Sequence, residues 1–304
     1  MSGESVKVAT FAMATRFEIL LEDDDAVRLR AAGEEALGEI EALDRQLSRF
    51  RPDSDVSRIN AHAAQEPVKV EPRLFRLLER AIEISALTDG AFDITIGPLM
   101  AAWGFSGEGR VPTREEIETA RSLVGARHVL LREQSFAVEF RAPGVEIDLG
   151  GIGKGFAIDR AVECLREAGV TRALVHGGTS TVRGLGTWEV AVGGPEPASR
   201  GGVDRICRVL LSDSALSVSA VYGRSFRRDG QRYGHVIDPR IGEPVSHTLL
   251  AAVWGPSGAD CDALSTALLV LGESWLPELS ARFKGYDGLA KDCCGGHVSE
   301  DSPA

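Results

Sequence analysis

Apolar and polar positions alternate along residues 5–22, with a break near Met13, which predicts strand, either continuous or as two short pieces around that residue. Asp23, Asp24 and Asp25 then open a long helix, in which Ala36, Ile40, Leu43 and Leu47 form one stripe of a 3.6-residue period. Phe50-Arg51-Pro52-Asp53 ends it. A second helix starts at Pro72, with Leu74, Leu77, Leu78, Ala81 and Ile82 on one face and Gly90 as a stop. Thr113 and Glu116 have capping-box spacing for a third helix that reaches Val124. The pattern then changes to a period of two. His128–Arg132, Ser135–Arg141, Val145–Leu149, Ala173–His176, Trp188–Val192, Arg205–Leu211, Ala215–Ser219, His235–Asp238 and Leu249–Trp254 all read as strands. Helices are expected at 154–168, 260–271 and 275–283. Strands in runs mixed with helices predict an α+β fold, with mixed and largely antiparallel sheets packed against helices. Residues 1–285 read as a single unit and 286–304 as a flexible tail.

Composition narrows the function. The 304 residues carry a net charge of −11. An acidic surface repels phosphate backbones, which disfavours a nucleic-acid partner. An anionic ligand must then be held locally, by a metal ion, a helix N-terminus or a well-placed Lys. No apolar run is long enough to span a bilayer, and the N-terminal residues lack the pattern of a signal peptide, so a cytoplasmic location is expected. The five cysteines lack CxxC spacing and read as buried thiols; Cys293-Cys294 before His297 is a weaker candidate for a metal tail.

Four segments could carry chemistry. Asp148-Leu-Gly150-Gly151-Ile-Gly153-Lys154-Gly155 joins a strand to a helix and could cradle phosphate with backbone N–H groups and Lys154, or could be a plain tight turn. Asp262 and Thr266, at i and i+4, put two oxygens on one helix face, as a partial Mg²⁺ shell needs. The same pair also describes an N-terminal Asp and a Thr bonded back to its own helix. His235, ahead of Asp238-Pro239, could be a general base or an ordinary histidine at a strand end. Gly90-Ala91-Phe92-Asp93, with Trp103 and Phe105, could hold a flat heteroaromatic ring or form a packed loop.

Together and in this order, these segments resemble the ApbE family of FAD:protein FMN transferases. The resemblance runs from Met13 to Gly272 and includes Leu47-Ser48-Arg49-Phe50, Gly90–Leu99, Asp148–Gly155 with Asp159, His235–Pro239 and Asp262–Ala267. It implies Mg²⁺-dependent transfer of FMN from FAD to a Thr or Ser hydroxyl of an acceptor flavoprotein, with release of AMP. By the same resemblance, Asp262, Ser265, Thr266 and the Gly151 carbonyl hold the metal. Met13, Phe50, Ala91, Phe92, Asp93, Asp148, Lys154 and Val236 line the FAD site, and His235 is the base. The chain departs from the family pattern at Ala14, Phe50, Thr179, Val218, Ala220 and Ile241, where the family usually has Gly, Tyr, Asn, Thr, Gly and Thr. Two alternatives stay open: an FAD pyrophosphatase, in which water replaces the acceptor, and, from these departures, a non-catalytic FAD-binding protein.

Overall fold

A computed structural model describes residues 4–23, 25–197 and 203–292. Strand β1 (Glu4–Ala12) turns at Met13-Ala14 into β2 (Thr15–Asp23). Both turn residues have positive φ, 48° and 58°, as a two-residue hairpin turn of right-handed twist requires. Ala14 therefore occupies a backbone conformation that glycine takes without strain. Helix α1 (Ala26–Leu47) follows, and the Asp25 carboxylate accepts from the N–H groups of Val27 and Arg28 at its start. The expected stripe of Ala36, Ile40, Leu43 and Leu47 is buried. Asp24 lies outside the described residues.

Next come α2 (Asp55–His62), β3 (Val68–Lys69), α3 (Pro72–Leu87), α4 (Gly97–Ala102) and α5 (Arg114–Ser122). The capping box of α5 is complete: Glu116 N–H donates to the Thr113 hydroxyl, and Thr113 N–H donates to the Glu116 carboxylate. Strand β5 (Ala137–Phe140) pairs with both β3 and β4 (Val129–Arg132) as the centre of a small three-stranded sheet. Residues 145–149 correct an expectation. They carry no regular secondary structure and pair with no strand. The N–H and C=O of Ile147 bond the side-chain amide of Asn60, and Asp148 N–H donates to the Ile94 carbonyl.

Helix α6 (Gly153–Glu167) leads into β6 (Ala173–Gly177), β7 (Thr181–Leu185), β8 (Thr187–Pro197), β9 (Val203–Ser212) and β10 (Ala215–Ala220). The hairpin β11 (Ser225–Arg228) and β12 (Gln231–Gly234) and the short pair β13 (Ile237–Asp238) and β14 (Glu243–Pro244) follow. The expected strand at 235–238 is thus shorter, and His235 sits in the bend before it. The chain closes with β15 (Thr248–Gly255), α7 (Gly258–Leu271), α8 (Leu276–Arg282) and β16 (Asp287–Asp292). Strand β16 pairs antiparallel along β15, so the first part of the expected flexible tail is a sheet edge. Cys293, Cys294 and His297 lie outside the described residues.

The main sheet has seven strands in the order β1-β2-β6-β7-β10-β15-β16, every neighbouring pair antiparallel. Its two faces follow the period of two. Phe17, Ile19, Leu21, Val175, Ala251 and Val253 point to the helices, while Leu20, Leu174, Leu250 and Ala252 pack under the β8–β9 ribbon. The result is three layers: helices, sheet and ribbon. The fold class is α+β, as expected. No helix among the described residues is long and apolar enough to cross a membrane.

Helix α7 is buried on almost every side and crosses the start of α6. The crossing depends on two glycines. A Cβ on Gly155 would lie 2.0 Å from the Gly258 carbonyl oxygen, and one on Gly258 would lie 2.8 Å from the Gly155 oxygen. Gly155→Ala is therefore expected to cost about 3 kcal/mol of stability, the upper range for overpacking, because the obstacle is backbone. Urea unfolding followed by circular dichroism checks this.

Candidate active site

The close crossing brings the α6 N-terminus to the Asp262 side chain. Gly155 N–H donates to the Asp262 carboxylate at 3.1 Å, and the Lys154 ammonium lies 3.3 and 3.4 Å from its two oxygens. Sheet hydroxyls complete the surround, Ser217 at 3.2 Å and Thr181 at 3.5 Å. Asp262 is only 3% exposed, and a carboxylate this buried needs such partners. The glycine turn expected to cradle phosphate thus already holds an anion, the protein's own carboxylate. Lys154 also donates to the Gly150 carbonyl at 3.3 Å, so its ammonium bridges the turn and α7.

One helical turn on, Thr266 and Ser265 both donate to the Asp262 carbonyl, at 3.1 and 3.0 Å. That is the back-bonding the i, i+4 spacing allowed. Hydroxyls that donate in this way keep lone pairs for another partner. Gly151 passes close by: a Cβ there would lie 3.4 Å from Thr266 Oγ1 and 3.2 Å from the Phe92 ring. The candidate metal donors are therefore a carboxylate, two hydroxyls and a carbonyl, all oxygen, which suits a hard divalent cation. Among the described residues no group of three or more His, Cys, Asp and Glu is placed to hold a metal. Water and ligand phosphates must complete such a shell, as is usual for Mg²⁺.

The carboxylate of Asp159 caps α7. It accepts from Gly258 N–H at 2.7 Å, Ala259 N–H at 3.0 Å and the Ser257 hydroxyl at 3.0 Å, and pairs with Arg183. The α7 N-terminus is thereby satisfied by the protein, which fixes Asp262 one turn further along.

His235 lies where β12 turns toward β13. Its Nδ1 is 3.0 Å from the Arg224 carbonyl. A carbonyl can only accept, so Nδ1 carries the proton and Nε2 keeps a free lone pair. Burial pushes the His235 pKa below its ordinary value; the Arg224 hydrogen bond opposes this, while the charges of Lys154 and Arg224 add to it. The ring is thus a neutral base at neutral pH, close enough to Lys154 and Asp148 to feel both charges.

The other expected site residues fall into two groups. Asp148 is held by Arg49 at 2.8 Å and by Gly150 N–H at 2.8 Å. Arg49 also lies 5.3 Å from the centre of the Phe50 ring, which is 67% exposed and free to meet a ligand. Met13 is pinned at its turn by its N–H, which donates to Asp44 at 2.7 Å. Ala91, Phe92 and Val236 are buried side chains. Asp93 is committed to structure: its carboxylate accepts from the hydroxyls of Ser85 and Thr95 and from the N–H groups of Thr95 and Ala126. It therefore shapes the loop around Ala91 and Phe92.

Sequence reasoning missed the polar shell on the sheet. Ser217 and Ser219 occupy alternate positions of β10 facing α7, and Ser219 lies 2.9 Å from Ser265 and 3.3 Å from Thr266. The signal was there in serines at two of the three inward positions of β10, Ala215, Ser217 and Ser219, where a core would place aliphatics. Arg49 stood within the Leu47–Phe50 segment, but its pairing with Asp148, like that of Asp44 with Met13, is set only by the fold.

Comparison with known proteins gives the family. The sequence matches the model of the ApbE family over residues 13–289. The FAD:protein FMN transferase of Vibrio cholerae is 33% identical over 243 residues, which is 77% of this chain and 71% of that protein. That of Escherichia coli K12 is 31% identical over 292 residues, 91% and 80% of the two chains. The crystal structure of the ApbE protein of Thermotoga maritima superposes with a TM-score of 0.86 at 32% identity, covering 95% of this chain and 94% of that one. A family match over most of the chain, together with relatives above 30% identity and a solved structure of the same overall fold, leaves one assignment: the chain belongs to the ApbE family of flavin transferases.

Proposed function

We propose that this chain transfers the FMN half of FAD to the hydroxyl of a Thr or Ser in an acceptor protein, releasing AMP, with Mg²⁺ bound at Asp262. The observation that carries the reading is a neutral histidine base, its proton fixed on Nδ1, within reach of the charge of Lys154, whose ammonium pairs with the buried Asp262 carboxylate of α7.

The chemistry balances on these residues. The acceptor oxygen forms a bond to the phosphorus on the FMN side of the FAD pyrophosphate. The P–O bond to AMP breaks, and AMP leaves with that oxygen. The acceptor proton passes to His235 Nε2. General-base help of this kind is typically worth ~10²–10⁴-fold. Asp262, Ser265, Thr266 and the Gly151 carbonyl would hold Mg²⁺, which when bound supplies charge neutralisation for the pyrophosphate. Lys154 orients toward the same charge. Phe50 and Met13 offer apolar surface to the flavin end, and Asp148, with Ala91 and Phe92, defines the other end of the FAD site.

Mass spectrometry tests the reading. Incubation with FAD, Mg²⁺ and an acceptor carrying a reactive Thr is expected to add one FMN to that Thr for each AMP released. FMN and AMP without an adduct would mean a pyrophosphatase, and bound but uncleaved FAD a binding protein.

A further inference from the structure

The segment that positions His235 is also rich in exposed arginine. Between Tyr222 and His235 the chain carries Arg224, Arg227, Arg228 and Arg232, against one acid, Asp229 at the turn. This net +3 stands in a protein of net charge −11. All four arginines are exposed. Arg228 lies 3.9 Å from Asp229, and Arg232 donates to the Ser225 hydroxyl and the Tyr222 carbonyl. Among the described residues, Arg224, Arg227 and Arg232 make no ion pair with a carboxylate. Elsewhere on the surface, arginines such as Arg76, Arg110, Arg132 and Arg282 each face an acid.

The hairpin is seated firmly. Phe226 stacks on Tyr233 with ring centres 5.2 Å apart, Phe226 meets Phe105 at 5.5 Å, and Tyr233 meets Trp103 at 5.4 Å. Gly109 lets Phe226 in: a Cβ there would lie 2.2 Å from the ring. One side of β11–β12 is thus packed on the loop after α4, which gives the exposed arginines a fixed base, with Arg232 folded back onto Ser225 and Tyr222. The Arg224 carbonyl is the partner of His235 Nδ1, so the basic segment is continuous with the residue that must meet the acceptor hydroxyl.

We propose that the β11–β12 hairpin is the docking surface for the acceptor protein, and that it selects acceptors with acidic residues flanking the modified Thr or Ser. This inference rests on the flavin-transfer reading above. Its physical basis is charge complementarity. Unpaired exposed guanidinium groups steer and hold carboxylates, while the acidic remainder of the surface repels acidic chains that approach from other directions. Arginine's fork suits bidentate contact with Asp and Glu.

The test uses the full chain with FAD, Mg²⁺ and a peptide library carrying a central Thr with randomised flanks. Labelled peptides are isolated by flavin fluorescence and sequenced. The expected result is enrichment of Asp and Glu at flanking positions, with kcat/KM for the enriched peptides falling as ionic strength rises. Arg227→Glu/Arg228→Glu is expected to lower kcat/KM for those peptides about tenfold, within the range charge steering allows, and to leave FAD affinity unchanged. It is also expected to shift the library toward Lys flanks, a gain that misfolding does not produce. Labelled peptides without acidic enrichment, or a double variant with unaltered preference, would overturn the docking proposal and leave flavin transfer standing. FAD cleavage with no labelled peptide at all would overturn both.

Discussion

Asp262→Asn is expected to lower the rate of flavin transfer by about 10³-fold, the scale on which a preorganised charge at a developing anion acts. The substitution keeps the shape and removes the charge. The carboxylate now accepts from Gly155 N–H, Lys154, Ser217 and Thr181. An amide presents one acceptor and one donor to that ring of donors, so one N–H of Asn meets another donor. A stability cost of about 1–3 kcal/mol accompanies the kinetic loss, as for a buried polar group left unpartnered. Thermal melts and AMP release measured on the same protein separate the two effects. A variant that melts a few degrees lower yet is fully folded at the assay temperature must still lose transfer.

His235→Gln is expected to reduce kcat by ~10²–10⁴-fold, with little change in FAD affinity, because the base acts on the acceptor proton. Its pH signature is specific. Burial lowers the folded pKa of His235 below that of an exposed histidine, so the base stays neutral on the acid side of neutrality. In wild type, kcat/KM for the acceptor should be flat above neutral pH and fall as pH drops through that lowered value; the Gln variant should lose this acid limb. The same shift affects stability. The unfolded chain binds the proton more readily than the folded one, so stability is fully present above the unfolded pKa and declines as pH falls below it. His176 is shifted downward for the same main reason, burial, and contributes with the same sign.

Much of the frame is legible in the sequence because it is local. The α1 stripe, the α5 capping box and the two-faced alternation of β2 and β10 each express one period or one cap. What escaped is set by distant partners. Helix α2 has eight residues, of which only Val56 and Ile59 are buried, too little for a stripe. Strand β7 is buried at all five positions, yet contains Arg183 and Gly184, so it shows neither alternation nor an aliphatic run. Residues 145–149 do alternate, with Val145, Ile147 and Leu149 buried, but the Asn60 amide occupies the backbone where a strand would pair. Strand β16 is polar and owes its order to the edge of β15. At the site, helical spacing marked Asp262 and Thr266, and the glycine turn marked Lys154. That Gly155 and Lys154 serve Asp262 could be read only once α6 and α7 had crossed.

The most direct measurement is AMP release as a function of acceptor concentration, with FAD and Mg²⁺ saturating. AMP is expected to appear in proportion to acceptor hydroxyl consumed, one for each FMN attached, and replacing the acceptor Thr with Ala is expected to abolish both. AMP released at the same rate without acceptor would contradict this, since water would then be the nucleophile at His235.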